Sequence, residues 1–83
     1  MSVNEKQIRW RCRRGMKELD VLFERFLAGH FHALDETGRE SFARLLDEKD
    51  PDLYGWLLGR DEPTDADLRH VIRLVRAAVV DPS

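Results

Sequence analysis

Apolar residues in this chain recur mostly at intervals of three and four, the spacing that lines one face of an α-helix. Strand signals are nearly absent, because β-branched residues rarely cluster. The pattern predicts five short helices. The first, about Asn4 to Arg13, has Asn4 as N-cap, Glu5 in its first turn and arginines toward its negative pole. Its apolar row is thin, little more than Ile8 and Cys12. Gly15 then breaks the pattern, as a glycine following a basic last turn does at helix ends. The second helix, about Met16 to Ala28, carries a broad stripe of Leu19, Leu22, Phe23, Phe26 and Leu27. Gly29 ends it, and His30-Phe31-His32 continues into a turn. The third, about Glu36 to Glu48, presents Phe42, Leu45 and Leu46.

Asp50-Pro51 reads as a fresh start, with Asp50 as N-cap and Pro51 as the first helical residue. The fourth helix runs to Leu58 and holds Leu53, Tyr54, Trp56 and Leu57, the two aromatics being assigned to the core. Gly59 stops it. Thr64-Asp65-Ala66-Asp67 resembles a capping box with Asp in the place of Glu. From there Leu68, Val71, Ile72, Val75, Ala78 and Val79 mark a fifth helix. The expected architecture is all-α, a compact single-domain bundle of five short helices over residues 1–83. Helices two, three and five should supply most of the core, with the fourth as an aromatic wedge and the first packed least securely.

Length adds a constraint. A chain of 83 residues supports one modest core and leaves little room for an enclosed active site of a few hundred Å3. That points to a module working through its surface and away from an enzyme. The net charge of -2 hides a polarity. Residues 1–30 hold seven Lys/Arg against four Asp/Glu, a net +3, and residues 31–83 hold seven against twelve, a net -5. A basic head on an acidic body seeks an acidic protein patch, a phosphate or a nucleic acid. Cys12 is the one cysteine, so no intramolecular disulfide forms. No apolar run nears the roughly 18 residues of a membrane span, and residues 1–6 lack a signal-peptide core. The expectation is a cytoplasmic protein without membrane insertion, monomeric when free.

The candidate chemistry is sparse. The basic run Lys6, Arg9, Arg11, Arg13, Arg14 and Lys17, with Trp10 inside it, has the ingredients of a nucleic-acid surface. Its charges spread around the helix instead of forming a stripe, however, the chain as a whole is acidic and carries no nucleic-acid signature, so a solvated helix face is the favoured reading. His30 and His32, at i and i+2, do not share a helix face and have no neighbouring ligand to complete a metal site. Cys12 lies between arginines, which lower a thiol pKa when the thiol is exposed, but it shares the row of Ile8, which predicts burial. The chain has no Gly-rich phosphate loop, so it offers no dinucleotide cradle of its own.

Two blocks carry a family resemblance. Trp10-x-Cys12-Arg13-Arg14-Gly15-Met16-x-Glu18-Leu19-Asp20 contains the pattern RGxxE, and Asp50-Pro51-Asp52-Leu53-Tyr54-x-Trp56-Leu57 follows it at a distance. Together with the length and the final amphipathic helix, they resemble the flavin-assembly factors of succinate dehydrogenase, from about residue 8 to residue 78. The resemblance implies a five-helix fold and binding to the flavoprotein subunit of succinate dehydrogenase, and in bacteria also of fumarate reductase. It implies promotion of covalent FAD attachment to a histidine of that subunit, with no cofactor held stably by this chain. On that basis Arg14 is expected to pair with a carboxylate or carbonyls of the partner. Gly15 is expected to allow close backbone approach, and Glu18 to accept from partner donors or fix Arg14. Arg11 and Trp10 would be secondary contacts. No catalytic, cofactor-binding or metal-binding residue is assigned. The alternative is an antitoxin-like or nucleic-acid-binding small helical interaction module.

Overall fold

Phe42 marks the centre of the structure. Its ring meets Phe26 in a stacked arrangement at 5.1 Å, and meets Phe23 and Phe31 edge-on at 5.8 and 5.7 Å. All four rings are buried, and such offset and edge-to-face pairs add to the burial of area alone. The computed structural model describes residues 4–80. Those residues form helices α1 (Glu5–Arg11), α2 (Lys17–Gly29), α3 (Glu36–Leu45), α4 (Asp50–Leu57) and α5 (Ala66–Val75). A 3-10 turn at Phe31–Ala33 follows α2, and a π turn at Arg76–Val80 follows α5. No strand occurs among the described residues, and no helix among them is long and apolar enough to cross a membrane. The protein is all-α.

Each helix buries the stripe its periodicity marks. Leu19, Phe23, Phe26 and Leu27 come from α2, Phe42 and Leu45 from α3, Leu53 and Leu57 from α4, and Leu68, Val71, Ile72 and Val75 from α5. Ile8 and Cys12 plug α1 and its end into the same cluster. The radius of gyration is 11.5 Å, close to the roughly 12 Å of a compact domain of this length.

Four details differ from the pattern-based reading. Tyr54 and Trp56 are half-buried at the margin of the core; Leu53 and Leu57 fill the centre instead. Phe31, read as part of a turn, is 2% exposed, because the 3-10 turn swings it back onto Phe42. The N-cap of α5 is Asp65 itself, whose carboxylate accepts from the N–H groups of Asp67 and Leu68. The N-cap of α4 is Lys49, with Asp50 and Pro51 in the first turn and no side-chain cap. Asp50 is drawn elsewhere, into the contact described next. The end of α4 follows the sequence closely. Gly59 has φ +77°, and the bonds Gly59 N–H to Trp56 O and Arg60 N–H to Gly55 O form a Schellman motif.

Candidate functional site

The turn between α1 and α2 is built around the side chain of Arg14. Its Nε donates to Asp50 Oδ1 at 2.6 Å, its Nη1 to the Leu46 carbonyl at 2.5 Å and its Nη2 to the Glu48 carbonyl at 2.6 Å. The Arg14 side chain is only 15% exposed. Leu46 and Glu48 lie just past the end of α3, where helix carbonyls lack intrahelical partners and the dipole is negative. A guanidinium suits that position, since its N–H fork can serve several acceptors at once. Asp50, in the first turn of α4, places its negative charge at a positive helix pole. Arg14 therefore joins the end of α3 to the start of α4.

Arg11 makes a parallel contact one turn earlier. Its Nη2 donates to the Ala43 carbonyl at 3.1 Å and to the carboxylate of Asp47. The two arginines thus strap α1 and its following turn across the C-terminal end of α3. This explains why α1 ends at Arg11, short of the expected Arg13: Arg14 must leave the helix to reach its acceptors. A third tether, from His32 to Glu5 at 2.7 Å, holds the other end of α1. There the partners His32 and Arg9 keep the Glu5 carboxyl below its usual range.

The backbone of the turn is held as well. Arg14 N–H donates to Asp20 Oδ1 at 2.7 Å, so a residue of the first turns of α2 reaches back across Gly15. Gly15 has φ +84°, in the region that favours glycine. Apart from its two chain neighbours, no atom of the described residues lies within 4 Å of the position a Cβ would take there, so the glycine is needed for the turn and its outer side is open. Beneath it Cys12 is 4% exposed. Burial pushes its thiol up to about 12, against the pull of Arg14, Arg11 and Arg9, so the group is a neutral core residue and not a nucleophile.

The five residues singled out from the sequence separate into two sets. Arg14 and Arg11 face inward and spend their donors within the chain. Gly15, Glu18 and Trp10 face outward, Trp10 being 74% exposed. Glu18 sits in the first turn of α2 and makes no hydrogen bond to Arg14; Asp20 does the fixing instead. Around this edge lie two depressions. One, of about 590 Å3, is lined by Arg9, Cys12, Arg13, Gly15, Asp20, Glu24 and Leu27. The other, of about 490 Å3, has Lys17 and Glu18 at its side and Val21, Leu22, Tyr54, Leu58 and Val79 along an apolar floor. Asp20 and Asp50, which hold Arg14, are not singled out by the sequence reading, although both stand inside the two sequence blocks.

Comparison with known proteins decides the family. The family described as the flavinator of succinate dehydrogenase matches residues 6–79. The chain belongs to this flavinator family. Among its relatives is the FAD assembly factor SdhE of Coxiella burnetii, 48% identical over 71 residues, which are 86% of this chain and 87% of that protein. The proteins of the same name from Serratia sp. and Pectobacterium atrosepticum are 41% and 40% identical over 73 residues, which are 88% of this chain and 83% of each. These flavinator-family relatives are assembly factors and not enzymes. The match runs through both strapped arginines, the Gly15 turn and Asp50, so the whole arrangement lies inside the family region.

Proposed function

We propose that this protein binds the flavoprotein subunit of succinate dehydrogenase and promotes covalent attachment of FAD to it, acting likewise on the related fumarate reductase. The family match supports the flavinator role. The observation that carries the binding surface is the Arg14–Gly15 turn, fixed from within by Asp20, Asp50 and the Leu46 and Glu48 carbonyls. A rigid edge binds with less entropic cost than a mobile one, and here that edge presents Gly15 and Glu18 to a partner, with the exposed Trp10 of α1 as a further contact. The partner holds FAD; this chain has no Gly-rich phosphate loop to cradle it. Covalent flavinylation needs a polarised flavin and a histidine in attack geometry, which are tasks of positioning and electrostatics. A small protein advances them by binding the conformation of the subunit in which both hold. The factor works in the cytoplasm as a monomer until it meets its partner.

The experiment is complementation. The chain is expressed with the flavoprotein subunit in cells lacking their own factor, and covalent flavin fluorescence of the subunit is read on a denaturing gel. Fluorescence restored by the chain, together with co-purification of the subunit, is the expected result. A chain that folds yet restores none would overturn the proposal.

A further inference from the structure

We infer that Asp20 and Asp50 are positioning residues of the flavoprotein-facing surface, acting through Arg14, and that the two sequence blocks form one functional unit for this reason. The inference rests on the proposed function above, since it names what holds that surface in shape.

Arg14 has five N–H donors on its guanidinium. Acceptors inside the chain take at least three of them, and its backbone N–H takes a fourth acceptor, Asp20. Two carboxylates from different elements thus grip the same residue from two sides. Asp20 fixes the backbone at residue 14, and Asp50 fixes the far end of the side chain. Gly15 follows directly. Its positive φ is one of several conformations open to glycine, so the direction in which the turn faces depends on the anchoring of residue 14. Loss of either acid frees one anchor. Loss of Asp50 also leaves the guanidinium in a mostly buried site without its counter-charge. Neither acid needs to touch the partner to matter; each keeps the exposed edge in a single arrangement before binding.

A purely structural role would make activity follow stability, and the test separates the two. Asp20→Ala, Asp20→Asn, Asp50→Ala and Asp50→Asn are compared with Ile72→Val, a core variant of α5 placed as a control for lost stability. Each is assayed for melting temperature, for covalent flavin on the subunit and for affinity to the purified subunit. Asn keeps an Oδ1 acceptor, so Asp20→Asn should bind within about twofold of wild type, whereas Asp20→Ala should bind about tenfold more weakly, the loss of one charge-assisted hydrogen bond. Asp50→Ala should lose about tenfold or more, with Asp50→Asn between it and wild type. Ile72→Val should retain full flavinylation at a comparable melting temperature. If the Ala and Asn variants of each acid behave alike, or if Ile72→Val loses as much flavin as the acid variants, the positioning role is overturned. Should Asp50→Ala fail to fold, the Asp20 pair decides alone. A wild-type chain that gives no covalent flavin counts against the proposed function itself, which is a different result from wild-type activity shared by all four acid variants.

Discussion

At residue 15 the conformational requirement and the open space outside it can be told apart by substitution. Gly15→Ala must hold a side chain at φ +84°, a cost of about 1–2 kcal/mol, but beyond its two chain neighbours it meets no atom of the described residues. Gly15→Arg carries the same backbone cost and still has room to extend into solvent. The two variants should therefore melt within a few degrees of each other. Their activities should differ. If a partner backbone presses against the turn, Gly15→Arg loses covalent flavinylation almost completely while Gly15→Ala keeps a substantial part. Equal activity in two equally stable variants would place the partner elsewhere. The sequence marks this glycine as a break between helices, as its φ bears out, but it does not show where the side chain of Arg14 beside it goes. An arginine in a basic run gives no sign of which neighbour it will reach, because its acceptors, the Leu46 and Glu48 carbonyls and Asp50, lie more than thirty residues away.

Helix ends show how far local chemistry carries. Asn4 caps α1 through hydrogen bonds to the N–H groups of Lys6 and Gln7, and Gly59 closes α4, both as the sequence suggests, because cap and helix are neighbours along the chain. The cap of α4 and the end of α1 escaped that reading, since in each case Arg14 competes across space for the residue concerned. The cap of α5 supplies a prediction about acid. The N–H of Leu68, then the guanidinium of Arg44 at 2.5 Å, hold the Asp65 carboxyl below its usual value of 3.8. A depressed folded-state pKa contributes stability above the unfolded value and loses it as pH falls through the folded one. The Glu62 carboxyl, lowered chiefly by Arg73, and that of Glu5 act with the same sign. Melting temperature should thus change little from these groups between about pH 5 and 8 and decline below about pH 4. Asp65→Asn should flatten that decline, as followed by helical circular dichroism across a pH series; an unchanged slope would remove Asp65 from the account.

On the scale of the whole molecule, the basic head is less basic than its sequence. Arg11 and Arg14 are paired with Asp47 and Asp50, and Arg9 is paired with Glu5, so half of the six charges in the run are matched within the fold. Non-specific phosphate binding scales with the number of free cations and falls steeply with salt. A labelled oligonucleotide should accordingly show no sub-micromolar retention at physiological salt, and such retention would revive the nucleic-acid reading. The bundle itself was legible throughout, because a stripe repeated every three or four residues needs only a facing stripe to bury it. The order in which α1 joins that bundle follows from the straps. The bonds from Glu5, Arg11 and Arg14 to residues 32, 43, 47, 46, 48 and 50, together with the buried Ile8 and Cys12, seat α1 and its end, whereas the rest of the core comes from later residues. The helices α2 to α5 can assemble around Phe42 without them. Docking of α1 then belongs to the native side of the folding barrier, and Arg14→Ala should accelerate unfolding while leaving the refolding limb of the chevron nearly unmoved.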